Sequence, residues 1–305
     1  MKLVTFRVSH STLKLGVVQG DAVIDVTDVV GGIKPASTSR RQSEWFEQVA
    51  ATSMLKLLGC GPAALETLRM YVQSPASVLT SYKLDQVQLQ APIVRPGKII
   101  GVGKNYADHA AEVGSATLAA PKLFTKFSSS VVGPGTQVHA KPIIKKMDFE
   151  AELAVVIGRF ASQVKAEDAL DVVAGYTILN DLSAREFQRD VPQAQTSFAK
   201  SMDGFCPMGP WIVTADDIPD PQALDVSLEL NGQQMQHGHT SQMIFSVRTL
   251  IEYITQYVEL EPGDVIATGT PAGVGAARNP PVWLKAGDQV RITVGSIGTL
   301  EHGIC

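Results

Sequence analysis

The stretch FEAELAVVIG, residues 149–158, sets two carboxylates one residue apart inside an apolar run. Successive side chains of a strand alternate faces, so Glu150 and Glu152 project from one face while Ala151 and Leu153 project from the other. Taken alone, an E-x-E pattern reads more readily as an exposed edge strand with its carboxylates in water. A second apolar run, AGYTILND at residues 174–181, shifts that weighting because it delivers Asp181 at its C-terminal end, where loops and functional residues begin. Three carboxylates gathered without partners repel and partly protonate, and a bound cation is the simplest way to keep them ionised. Oxygen-only ligands favour a hard ion, Mg2+ or Mn2+, over zinc. Glu150, Glu152 and Asp181 are therefore the candidate metal ligands.

Working outward, the chain has 305 residues, enough for one large or two ordinary domains with a substantial core. Hydrophobic residues make up 45% and charged residues 18%, with a formal net charge of -4, which describes an ordinary soluble globular protein. The 26 Lys and Arg form no basic stripe, so a nucleic-acid partner has no electrostatic footprint. Cys60, Cys206 and Cys305 are odd in number and lack C-x-x-C spacing, which fits reduced thiols and a cytoplasmic location. No secretory signal is visible, and no apolar stretch approaches the roughly 20 residues that span a bilayer.

The first 30 residues alternate apolar and polar, and LGVVQGDAVIDVT reads as a hairpin turned at Gln19, Gly20 and Asp21. From Arg41 the pattern turns helical, with Trp45, Phe46, Val49, Met54, Leu55 and Leu58 at three-and-four spacing before Gly59, and a second helix over Ala63 to Tyr71. The prolines and glycine of QLQAPIVRPGKII place a boundary near residue 92, giving a small N-terminal domain of hairpins and helices (1–92) and a catalytic domain (93–305). Downstream, strand-like runs dominate. Asn231-Gly232 in LELNGQQMQ is a strong hairpin signal, and the clearest helix, Phe245 to Tyr257, carries an apolar face suited to packing on a sheet. The expected class is α+β and β-rich, not a doubly wound nucleotide fold.

In GVGKNYADHAAEVG, residues 101–114, helical composition over YADHAAEV puts His109 and Glu112 on one helix face. A carboxylate beside an imidazole orients the ring and raises its basicity, as a general base needs, although H-x-x-E alone is more often a surface pair. The third glycine of G-x-G-x-x-G is missing, with Tyr106 in its place, which excludes a dinucleotide loop. Lys200 in SFAKSMDGF is a candidate cation for a substrate carboxylate or a developing oxyanion. ATGTPAGVG, residues 267–275, offers backbone amides and the Thr270 hydroxyl to an anionic oxygen. Arg185, Gln188 and Arg189 in SAREFQRD follow Asp181 closely, and at least one is expected to face a substrate carboxylate. Tyr106, Arg185, Gln188 and Thr270 complete the candidate substrate-binding set.

Taken together, KNYADHAAE, PKLFTKFSSSVVGPG, FEAELAVVIG, GYTILNDLSAREFQ, FAKSMDGFCPMGPW, NGQQMQHGHTSQMIFS and GDVIATGTPAGVG resemble the fumarylacetoacetate hydrolase family, over roughly residues 95 to 303. The resemblance implies a mixed β-sandwich roll for the catalytic domain, a small α/β N-terminal domain as in bacterial two-domain members, and a homodimer. It implies magnesium on Glu150, Glu152 and Asp181, a His109–Glu112 pair on a short helix that orders over the substrate, and active-site roles for Lys200 and Thr270. The implied chemistry is hydrolysis of a C–C bond in acylpyruvate-like or 2,4-diketo acids. Within the same family, oxaloacetate decarboxylation or isomerisation or hydration of a 2-hydroxymuconate-type acid is the alternative, and a non-catalytic protein that binds metal and 2-oxo acid belongs to a different class. A water-activating pair is superfluous for decarboxylation, so His109 with Glu112 favours hydrolysis.

Overall fold

The apolar runs form strands, and their registers bring the separated motifs together at one end of neighbouring interior strands of a sheet. The computed structural model describes residues 1–9, 11–35, 39–75, 79–114 and 118–305. Strand Ala151–Ile157 pairs antiparallel with Val173–Asn180, Ala151 opposite Asn180, which carries Asp181 level with Glu150. The Asp181 N–H donates to the Glu150 carbonyl at 2.9 Å and closes that end of the ladder. On its other side Ala151–Ile157 pairs antiparallel with Val265–Ala267, whose chain then leaves toward the two glutamates. Val265–Ala267 in turn runs parallel to Ile99–Gly103. The loop after Ala267 and the helix Ala107–Glu112 after Gly103 therefore emerge side by side.

These strands belong to a twelve-stranded mixed sheet. It continues through Cys206–Thr214 into the N-terminal strands Lys2–Arg7, Lys14–Gln19 and Ala22–Asp25, so residues 1–92 and 93–305 share one ladder. A five-stranded sheet, including Asp225–Leu230, Gln289–Val294 and Gly298–Ile304, packs on one face. Every residue of Ala151–Ile157 and Val173–Asn180 is buried, because both faces of these strands are covered. Leu153, Val155 and Ile157 enter the core under the five-stranded sheet, whereas Ala154 and Val156 enter a core shared with helices Met54–Gly59 and Pro62–Gln73. The architecture is α+β and β-rich, as the strand-like runs predict, and neither sheet closes on itself.

Local expectations hold with two adjustments. Gln19 pairs with Ala22 across the first hairpin, and Leu230 with Gln233 across Asn231-Gly232, both of whose φ angles are positive as a tight two-residue turn requires. The helical stretch begun near Arg41 is two helices, Arg40–Gln48 and Met54–Gly59, because the Ser53 hydroxyl caps a new N-terminus by accepting from Lys56 N–H. The helix expected over Phe245 to Tyr257 runs Val247–Thr255, capped by Ser246, and packs against the 3-10 segment Ala166–Val172. Among the described residues no helix is long and apolar enough to cross a membrane.

Candidate active site

Glu150, Glu152 and Asp181 are buried, and each offers an oxygen such that all three lie within 4.8 Å of one another. The sheet register produces this convergence, and buried cations surround it. The Lys200 ammonium donates to Glu150 Oε2 (2.7 Å), Asp181 Oδ2 (2.5 Å) and Ser183 Oγ (2.8 Å). Lys126 donates to Asp181 Oδ1 (2.6 Å) and to the Lys200 carbonyl. Arg185 donates through Nε to Asp148 Oδ2 and through Nη2 to Glu150 Oε1, each at 2.7 Å, and through Nη1 to Gln188 Oε1 at 2.8 Å.

Four buried carboxylates, Asp148, Glu150, Glu152 and Asp181, thus face three buried cations, Lys126, Arg185 and Lys200. Glu152 is the one without an ion pair among the described residues, and it accepts only the Gly269 N–H, at 2.8 Å. Burial and the charges of Asp181 and Glu150 hold its carboxyl well above the usual range. Glu150 moves the other way: Lys200 and Arg185 overcome its burial and hold it below that range. Burial opposes the charge on Lys200, and Asp181 and Glu150 more than restore it. A surplus negative charge within an all-oxygen donor set suits a hard divalent cation, so the residues present fit Mg2+ or Mn2+.

Helix Ala107–Glu112 places His109 on the wall of a cavity of about 190 Å³ above this cluster. His109 Nδ1 lies 3.2 Å from Glu112 Oε2, and Glu112 Oε1 accepts the Gly273 N–H at 2.8 Å. The imidazole is 5% exposed, so the expected pair is set inside the cavity instead of on the surface. Glu150, Glu152, Arg185, Gln188, Lys200 and Thr270 line the same space.

Three sequence-level assignments acquire different surroundings. Tyr106 is wholly buried, lies off the cavity wall, and its hydroxyl has no hydrogen-bond partner. Thr270 Oγ1 accepts from Gln236 Nε2 at 2.8 Å. The amides of the 267–275 loop bind the protein's own carboxylates: Gly269 meets Glu152, Gly273 meets Glu112, and Gly275 meets Asp148. Sequence reasoning passed over Asp148, Lys126 and Gln236. Asp148 extends the period-two pattern Asp148, Glu150, Glu152 and was open to discovery. Lys126 and Gln236 carry no local signal, since the groups they bind lie 55 and 85 residues away.

A carboxylate cluster fitted to a divalent ion, flanked by a buried His–Glu pair and a buried lysine, is the kind of constellation that enzyme active sites present. Residues 98–305 match the fumarylacetoacetate (FAA) hydrolase C-terminal family, and the chain belongs to that family. It is 40% identical over 259 residues to the mitochondrial oxaloacetate tautomerase FAHD2A of Bos taurus, covering 85% of this chain and 82% of that protein. With the oxaloacetate tautomerase YisK of Bacillus subtilis (strain 168) it shares 45% identity over 227 residues, 73% of this chain and 75% of that one. Its fold superposes with a TM-score of 0.76 on maleylpyruvate hydrolase from Sphingobium sp. SYK-6 in complex with manganese(II) and pyruvate, at 32% identity, covering 100% of this chain and 98% of that one.

Proposed function

We propose that this protein is a divalent-metal-dependent enzyme of 2-oxo acids, in which His109 moves a proton at the carbon beside the oxo group and so interconverts keto and enol forms. The placement of His109 carries this reading: a buried imidazole on the cavity wall, its Nδ1 held by Glu112 and Glu112 held in turn by the Gly273 amide. With Nδ1 engaged, Nε2 is the nitrogen left to exchange a proton with a bound acid. Glu112 fixes the tautomer and supports the charged imidazole once it has accepted that proton. A divalent ion held by Glu150, Glu152 and Asp181 would supply a fixed positive charge for negative charge developing on the 2-oxo oxygen. The Lys200 ammonium, on the wall beside Glu150 and Asp181, adds a second one. The relatives called oxaloacetate tautomerase support this reaction class. The test follows decay of the enol absorbance of a 2-oxo acid and deuterium exchange at its C3, with Mg2+ present. His109→Ala should lower both rates by roughly 10²–10⁴ with the fold intact. Full rates in that variant would remove His109 from the chemistry.

A second reading, hydrolysis of the C–C bond of an acylpyruvate, draws on the carboxylate behind His109, which suits a base able to deprotonate water. The relation to a maleylpyruvate hydrolase supports it. Incorporation of 18O from labelled water into a carboxylic acid product separates hydrolysis from tautomerisation.

A further inference from the structure

Gln236 is 1% exposed and lies off the cavity wall, on strand Gln233–His239 of the five-stranded sheet. Its carboxamide nevertheless makes three hydrogen bonds to the two segments that build the site. Oε1 accepts the N–H of Ala151, the residue between Glu150 and Glu152, at 2.9 Å. Nε2 donates to the Thr270 hydroxyl and to the Pro271 carbonyl, each at 2.8 Å. The partners fix which end of the amide is which. A backbone N–H can only donate and a backbone carbonyl can only accept, so oxygen must face Ala151 and nitrogen must face the loop.

Both protons of Nε2 are therefore engaged by the loop, one of them on a lone pair of Thr270 Oγ1. Thr270 lines the cavity, as Glu150 and Lys200 do, and among the described residues its hydroxyl donates to no protein acceptor. A hydroxyl left to itself rotates to suit its surroundings, whereas one that already accepts on one side is directed. The loop also lies hard against the strand that carries the amide. A Cβ at Gly238 would fall 2.5 Å from Pro271 Cβ, and one at Gly273, whose φ is +105, would fall 2.2 Å from the Met235 carbonyl oxygen.

We infer that Gln236 is a positioning residue: it holds the acceptor side of the Thr270 hydroxyl and so aims the hydroxyl's proton into the cavity, toward an anionic oxygen of the bound acid. The inference rests on the 2-oxo acid reading and adds to it the group that orients one of the cavity's donors. Without the amide, the Pro271 carbonyl loses its donor and a freed Thr270 hydroxyl can turn its proton away from the ligand. Of the three partners only Thr270 lines the cavity, which makes that hydroxyl the route by which Gln236 acts on a ligand. The competing route, through Ala151 to Glu150 and Glu152, runs by way of the ion site.

The test is a double-mutant cycle read by calorimetry as the affinity of the full chain for pyruvate, with Mn2+ held saturating for every variant. Thr270→Val removes the hydroxyl and keeps the shape, and it should weaken pyruvate by about tenfold or more. Gln236→Leu removes all three bonds. Gln236→Asn, one methylene too short to span them, stays polar and serves if Gln236→Leu does not fold. Each should weaken pyruvate by about fivefold or more in the parent and by less than about twofold in the Thr270→Val background. Thr270→Ser keeps the hydroxyl, so the full effect of the Gln236 variants should return there. Equal weakening with and without the hydroxyl, as a merely structural role or the route through the ion would give, overturns the inference and leaves the 2-oxo acid reading standing. Undiminished binding in Thr270→Val does the same. Failure of the parent to bind pyruvate overturns both.

Discussion

Arg185 bridges Asp148 and Glu150 from a 3% exposed position. Truncation to Ala would leave buried Asp148 without a cation and Glu150 with Lys200 alone. We expect Arg185→Ala to destabilise the protein by roughly 3–5 kcal/mol, measured by urea unfolding. Lysine should restore only part of this, since one ammonium does not reproduce a fork that meets two carboxylates and Gln188. A loss below about 1 kcal/mol would mean that water reaches those carboxylates freely. At this scale the convergence of Glu150, Glu152 and Asp181 was legible: acidic residues inside apolar runs are conspicuous, and strand alternation says which point together. Their neutralising partners were not. Lys126 and Gln236 become meaningful only when strands distant in sequence meet.

Among the elements, strand Gly298–Ile304 holds a buried group with a testable pH signature. His302 Nε2 lies 2.8 Å from Asn180 Nδ2, and Asn180 Oδ1 accepts the Glu150 N–H at 3.0 Å. Burial pushes the His302 imidazole down to about 4 from its ordinary 6.5. Between those values the unfolded chain binds a proton that the folded chain refuses. Stability therefore falls as pH drops through this window, by up to about 3 kcal/mol, and levels off below it. His302→Gln lacks this contribution, so the difference in unfolding free energy between parent and variant should shrink as pH falls from 7 to 4. Parallel pH profiles would show that His302 titrates normally. Element types were largely readable from periodicity. The split at Ser53 was also readable, as a capping serine before an apolar run, but the helical spacing across residues 41–58 masked it. The 3-10 segment Ala166–Val172 gives no such signal, because its shape follows from packing on helix Val247–Thr255.

For the whole molecule, a divalent ion held by Glu150, Glu152 and Asp181, as proposed above, would couple folding to metal. An ion that binds only the folded chain adds roughly 2.7 kcal/mol at a hundredfold excess over its Kd. We therefore expect Mn2+ to raise the unfolding temperature and EDTA to reverse it, with Glu152→Gln blunting the response. A melting curve indifferent to both would remove the ion from the account. The sandwich itself was not derivable from periodicity. It depends on which runs pair, and the resemblance of ordered motifs supplied what local patterns could not.

The ladder between Lys2–Arg7 and Cys206–Thr214 has a temporal consequence. At about 5–20 residues per second, a ribosome needs roughly 10 to 40 seconds to make the second strand after the first. Throughout that interval the nascent amino-terminal meander presents an unsatisfied edge at Lys2 and Leu3, and chaperone engagement during translation should concentrate there.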